Sequence, residues 1–213
     1  MERFLDVGRL IGTLVSLEPL DIGHAAALAA AARHGRDRYS LTDVPSDEKD
    51  ARRYIRAAIE QRDANATIPF AIVDMRREQI VGSTRFCYFE YWHWKPQFRV
   101  HPSNMPDAVQ IGGTWLALDA QRSGLNREAK LLMLEVAFER WKVARVRLRT
   151  DARNHRSREA IVGIGAHFDG ILRADSAGYD GTIRDSAAFS ILVTEWPEVR
   201  ATLHATLAER DLR

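Results

Sequence analysis

Residues Gln110 to Trp141 read QIGGTWLALDAQRSGLNREAKLLMLEVAFERW. The stretch opens as a strand-like run around Gly112 and Gly113, turns through Asp119 to Asn126, and continues as an apolar run at helical spacing. The first amides of a helix have no partner within the helix and point outward, so a glycine-containing turn that opens onto one can cradle an anion. Gly124 can supply a positive φ or a close backbone approach, and Arg122 and Arg127 add positive charge.

The flanks of this turn take simple forms. Val109 to Leu118 is expected to be a strand with Ile111, Gly113, Trp115 and Ala117 on one face. The glycine pair is compatible with a bulge, or with packing relief beneath Trp115. Asn126 to Trp141 is expected to be a largely buried helix whose narrow polar stripe is Glu128, Glu135, Glu139 and Lys142.

Working outward, Leu10 to Pro19 reads as a first strand, with Asp21 as the cap of an alanine-rich helix over Ala25 to Arg33 that Gly35 ends. Ser46 or Asp47 caps a second helix running to about Asp63, with Ala51, Tyr54, Ile55, Ala58 and Ile59 at helical spacing. Thr67 to Met75 and Ile80 to Phe89 form a hairpin through Arg76-Arg77-Glu78. Glu90 to Pro106, rich in Trp, His and Pro, is an ordered loop: either one wall of a site, or a hydrophobic lid or subunit contact. Ala144 to Thr150 alternates Val146 and Leu148 against Arg145, Arg147 and Arg149, which reads as a strand with one solvated, charged face. A short helix begins near Asn154. Gly165 to Leu172 and Ile183 to Thr194 pair as antiparallel strands, and Trp196 to Arg210 is a closing helix. The order is α+β, and the chain is expected to be a single domain over 1–213.

Composition narrows the classes. With 46% hydrophobic and 28% charged residues, the 213-residue chain is globular, and its net charge of +2 argues against nucleic acid as the main partner. The single cysteine, Cys87, permits no intramolecular disulfide and no cysteine-rich metal site. The seven histidines show no paired spacing with carboxylates, so no metal is expected. No apolar run reaches the roughly 18 residues of a membrane span, and the N-terminus lacks a signal-peptide core. A soluble cytoplasmic protein with no membrane partner is expected.

The segment Gln121-Arg122-Ser123-Gly124-Leu125-Asn126 resembles the pyrophosphate loop, Q/R-x-x-G-x-G/A, of the GCN5-related N-acetyltransferase (GNAT) superfamily, with Asn126 in place of the last small residue. The ordered segments Arg147 to Asp151, Ala152 to Ile161, Gly165 to Arg173 and Arg184 to Leu192 resemble its ribosomal-protein-alanine acetyltransferase-like branch. The resemblance covers most of the chain and is strongest from Gln110 to Trp196. It implies a mixed, mostly antiparallel sheet flanked by helices, in which the strand before the loop splays from its neighbour. It implies acetyl-CoA as cosubstrate, held by the strand end Leu116-Ala117-Leu118, by Gln121, Arg122, Ser123, Gly124, Leu125, Asn126 and Arg127, and by Asn154. It also implies Asn154 and Ser157 as the catalytic pair, Asn154 supporting the thioester end and Ser157 protonating the leaving thiolate. Relatives that use a tyrosine for that protonation carry it at the position of Ile161, which cannot donate a proton. Without the resemblance, Asn154 reads equally as a helix cap and Ser157 as a first-turn residue.

Acyl transfer to an amine needs the amine deprotonated, the carbonyl polarised and the thiolate protonated. No covalent nucleophile is required once amine and thioester are held together, so Cys87 reads as a core residue. The general base stays open among Glu90, His93, His101, Asp107 and Asp185. Gln110 stands where relatives carry a glutamate. The expected activity is acetyl-CoA-dependent N-acetylation of a primary amine, on a small molecule or a protein or peptide N-terminus, with a homodimer as the expected assembly. The alternatives are a non-catalytic acyl-CoA-binding sensor and a dimerisation protein using Trp92 and Trp94.

Overall fold

A computed structural model describes residues 7–98 and 104–211. Its strands are β1 (Leu10–Ile11), β2 (Val15–Pro19), β3 (Thr67–Asp74), β4 (Gln79–Glu90), β5 (Ala108–Leu116), β6 (Arg145–Asp151), β7 (His167–Ala177) and β8 (Ile183–Leu192). They form one sheet in the order β1-β2-β3-β4-β5-β6-β8-β7. Every neighbouring pair is antiparallel except β5 and β6, which are parallel. The mixed, mostly antiparallel α+β architecture expected from the sequence is the one observed.

Helices cover both faces. On β3, Phe70 and Ile72 join one apolar cluster while Ala71 between them joins the other, as the two-residue period of a strand requires. Helices α1 (Ala25–Ala31) and α2 (Glu48–Asp63) pack on the Ala71 side through Leu28, Ala51 and Ile55. Helices α3 (Leu125–Glu135) and α5 (Trp196–Asp211) pack on the other through Met133, Leu134 and Leu203. Local chemistry sets the helix starts. Asp47 accepts the Asp50 N–H at 2.8 Å, and Asp21 accepts the Gly23 N–H at 2.8 Å. Helix α3 runs into a π-turn over Val136–Arg140, closed by Trp141 N–H donating to the Val136 carbonyl. Among the described residues no helix is long and apolar enough to cross a membrane.

Three expectations need correction. The expected first strand is a tight hairpin, since the chain reverses between β1 and β2 and Gly12 N–H donates to the Val15 carbonyl at 2.8 Å. Glu128 does not belong to a solvated stripe. It is buried, and its carboxylate accepts the backbone N–H groups of Thr13 (2.9 Å), Leu14 (2.7 Å) and Val15 (2.7 Å), fastening α3 to that hairpin. Ile111 and Trp115 do not share a face: Ile111 packs on the α3 side and Trp115 on the α1–α2 side. The cause is a bulge. Ser83 pairs with Trp115 and Arg85 with Gly112, so β5 spends one residue more than β4 across this step, and Gly113 sits there at φ +58.

Candidate active site

The bulge coincides with a break in the sheet. Parallel pairing of β5 and β6 runs from Ala108–Arg145 to Ile111–Leu148 and stops. Beyond it the β5 edge from Gly112 to Leu116 has no strand partner on the β6 side, and a cleft of about 1440 Å³ opens between the two strands. Gly112 to Leu116 line one wall, Leu148 to Asp151 the other, and the start of α3 closes one end.

The loop into α3 has the backbone that an anion requires. Arg122 (φ +61) and Gly124 (φ +97) both lie in the left-handed region, and Gly124 is the N-cap. The first i to i−4 bond of the helix is Glu128 N–H to the Gly124 carbonyl, so the Asn126 and Arg127 amides precede it. Side chains hold this shape. Gln121 Nε2 donates to the Leu116 carbonyl at 3.1 Å, Tyr39 Oη donates to the same carbonyl at 2.9 Å, and Ser123 Oγ donates to the Ala120 carbonyl at 2.6 Å.

Of the residues singled out for acetyl-CoA, Leu116, Gln121, Arg122, Gly124, Asn126, Arg127 and Asn154 line the cleft, as does Ser157. Ala117, Leu118, Ser123 and Leu125 do not. Ala117 N–H is taken by the Val81 carbonyl at 2.7 Å, Leu118 packs over Gly35, Ser123 is the internal clip just described, and Leu125 is a core residue. Asn154 caps α4 (His155–Val162), its Oδ1 accepting the Ser157 N–H at 3.1 Å. Capping uses the oxygen and leaves the amide nitrogen for a ligand, so the cap and ligand readings of Asn154 are compatible. Ile161 is buried in the core.

The candidate bases fare differently. None of Glu90, His93, Asp107 and Asp185 lines the cleft, and His101 lies outside the described residues. Burial alone would push the Glu90 carboxyl up, but the Trp92 indole bond and the nearby Arg147 and Arg145 outweigh it and hold the pKa down. Arg147 meets Glu90 at 2.6 Å and Arg145 meets it at 3.3 Å, while Arg149 meets Asp175 at 3.3 Å. The arginine row is therefore ion-paired and half-buried rather than a solvated face. Asp107 accepts the Trp92 N–H at 2.6 Å and the Trp94 indole N–H, pinning the aromatic loop. From that loop and the end of β4, Tyr88, Phe89 and Tyr91 line the cleft, whereas Trp92 and Trp94 do not. Burial pushes the Cys87 thiol up to about 11, which removes it as a nucleophile near neutral pH.

Sequence reasoning misses Lys130, which sits within an apolar helical run. It is buried against the cleft, and its Nζ lies 2.6 Å from Thr114 Oγ1 and 3.2 Å from Thr84 Oγ1, which are themselves 2.7 Å apart. Desolvation pushes its pKa down to about 7. The unfolded lysine titrates near 10.4, so the unfolded chain binds the extra proton across the window from about 7 to about 10.4. Lys130 therefore costs stability at and below neutral pH, and the cost disappears as pH rises through that window. Lys130→Met is expected to be more stable than wild type at pH 6, with the gap closing by pH 10. Urea midpoints across pH check this. A gap that stays constant would mean that the folded amine titrates as it does in the unfolded chain, still hydrated.

Comparisons with known proteins agree with this geometry. The acetyltransferase (GNAT) domain family matches residues 14–167, more than half of the chain. A GCN5-related N-acetyltransferase from Brucella melitensis superposes with a TM-score of 0.77 at 23% identity, over 92% of this chain and 84% of that one. A protein from T. thermophilus assigned as an acetyltransferase superposes with a TM-score of 0.76 at 28% identity, over 94% of this chain and 97% of that one. Mycobacterium smegmatis RimJ, solved in complex with CoA-disulfide, superposes with a TM-score of 0.74 at 17% identity, over 94% and 93% of the two chains. No curated protein matches this sequence. The chain belongs to the GNAT acetyltransferases: it is an N-acetyltransferase, and acetyl-CoA is its cosubstrate.

Proposed function

We propose that the chain transfers the acetyl group of acetyl-CoA to a primary amine, on a small molecule or on a protein or peptide N-terminus, by direct attack in a ternary complex. The observation that carries this is the parting of β5 and β6 at a bulge, with a left-handed glycine loop and a helix N-terminus at the end of the same strand. Acetyl-CoA supplies an activated thioester carbonyl. The chain supplies position and dipoles. The Asn126 and Arg127 amides and the Arg122 and Arg127 side chains suit the diphosphate. The β5 edge from Gly112 to Trp115, without a strand partner on the β6 side, suits the amide-bearing arm, as one strand suits another. RimJ, which shares this fold, was solved in complex with CoA-disulfide, in keeping with a CoA ligand on this architecture.

Asn154 and Ser157 face the cleft together, where the departing thiolate needs a donor. Asn154 supports the thioester end through its free amide nitrogen, and Ser157 gives up its hydroxyl proton. Ser157→Ala is expected to lower kcat roughly tenfold to hundredfold while leaving the acetyl-CoA Kd unchanged. Steady-state CoA release and calorimetry check the two quantities separately, and an unaltered kcat would pass the protonation to water. In this proposal residues 1–213 act as one N-acetyltransferase domain in the cytoplasm, within the ribosomal-protein-alanine acetyltransferase-like branch, and assemble as a homodimer.

A further inference from the structure

The wall of the cleft facing α2 carries charge that the acetyl-donor half does not use. Along β4, Thr84 and Phe86 turn toward α3, since Thr84 meets Met133 and Phe86 joins that core, so Arg85 between them turns toward α2. Its Nη2 donates to Tyr54 Oη at 3.0 Å. Tyr54 in turn contacts Ser83 Oγ at 3.3 Å, and Ser83 donates to the Phe70 carbonyl at 3.0 Å. This chain orients the guanidinium from behind. Its front lies against the bulge: a Cβ built on Gly113 would stand 2.5 Å from Arg85 Nε.

Arg184 reaches the same space from β8, and its buried Nε has no hydrogen-bond partner. Tyr179, near the tip of the β7–β8 hairpin, lines the same cleft as Asp43, Arg85 and Arg184. Among the described residues neither Arg85 nor Arg184 forms an ion pair, and neither does Asp43. The other charges nearby are already matched: Arg149 with Asp175, Arg153 with Asp151 and Asp180, and Asp50 with Arg53. Unpaired guanidinium groups beside low-dielectric walls are costly, and Arg presents a fork of donors shaped for a carboxylate.

We infer that the acetyl acceptor is an amine that also carries a carboxylate, an amino-acid-type zwitterion, with Arg85 and Arg184 holding the carboxylate and Asp43 facing the amine. The inference rests on the acetyltransferase reading above and narrows its acceptor. In the transfer, the amine nitrogen forms a bond to the acetyl carbon as the carbon–sulfur bond breaks. The first ammonium proton is lost beforehand to Asp43 or to water. The sulfur leaves with its electron pair and takes the Ser157 hydroxyl proton to become the thiol of CoA, and the second proton, shed by the nitrogen as the amide forms, returns to Ser157 through water. Desolvation raises the Asp43 pKa against the opposing pull of Arg85, which suits a carboxylate that accepts a proton.

The test compares L-amino acids with their own carboxamides as acceptors, reading kcat/KM from CoA release. Acids are expected to exceed amides roughly thirtyfold or more. Arg184→Gln, which breaks no side-chain hydrogen bond among the described residues, should cut that ratio at least about tenfold. Arg85→Lys should do the same while keeping the charge at Tyr54. A structural effect of either variant would slow both acceptor series alike and leave the ratio unmoved. Equal rates on acids and amides, no turnover of any acid, or a ratio unmoved in both variants would overturn the inference. Acetyl-CoA titration of the same samples separates the two levels. Binding without acid preference sinks the carboxylate inference alone, whereas no binding sinks the acetyltransferase reading and this inference with it.

Discussion

Glu128→Ala is expected to lower the unfolding free energy by roughly 3–4 kcal/mol. One carboxylate accepts the N–H groups of Thr13, Leu14 and Val15, and two of those bonds are buried. Hydrogen bonds to a charged group are stronger than neutral ones, and deleting the acceptor strands the donors where water does not replace it. The side chain also fills the space against Gly12, where an added Cβ would stand 2.6 Å from Glu128 Cδ. Glu128→Gln should fall between wild type and alanine, because its carbonyl still serves one side of the turn while its amide opposes the other. Urea unfolding measures both variants. A loss below about 1 kcal/mol for alanine would mean that water enters the turn and rescues the amides. Helix α3 begins at the loop proposed to hold acetyl-CoA, so loosening its attachment to the β1–β2 hairpin should also weaken acetyl-CoA binding.

Gly124→Val is expected to weaken acetyl-CoA binding roughly a hundredfold or more while the fold persists. Gly124 has φ +97 and ψ −23 and lies at the N-cap of α3. A β-branched residue is strongly disfavoured at that φ, at a cost of about 1–3 kcal/mol. The chain would relieve it by turning the peptide planes around Gly124, which re-aims the Asn126 and Arg127 amides. Because Glu128 and Leu125 remain seated, the loss should fall on the ligand and not on the core. Calorimetry with acetyl-CoA, alongside a thermal melt of the same variant, separates the two effects. Wild-type affinity in a folded Gly124→Val protein would show that the diphosphate is held elsewhere.

The order of elements and the position of the glycine loop before α3 were legible in the sequence because they rest on local signals. Asp47 and Asn154 sit where their side chains can cap the next turn, and Gly124 separates a strand from an apolar helical run. What escaped depends on partners far along the chain. Glu128 looks like an exposed helix residue until the amides of Thr13 to Val15, more than 110 positions away, are placed against it. The bulge at Gly113 adds one residue to β5, and parity read along the sequence then assigns Trp115 to the wrong face. Alternation puts Arg145, Arg147 and Arg149 on one side of a strand but does not reveal Glu90 and Asp175 packed against them. Asp43, Arg85, Tyr179 and Arg184 come from separate elements with no shared motif, so only the folded chain brings them to one wall.

The opening between β5 and β6 is proposed to bind acetyl-CoA for transfer to an amine. Titrating the wild-type protein with acetyl-CoA by calorimetry, then adding amine acceptors and following CoA release, tests it most directly. Saturable binding at one site per chain, followed by amine-dependent CoA release, is the predicted result. A folded protein that takes up no acetyl-CoA and releases no CoA with any amine would contradict it.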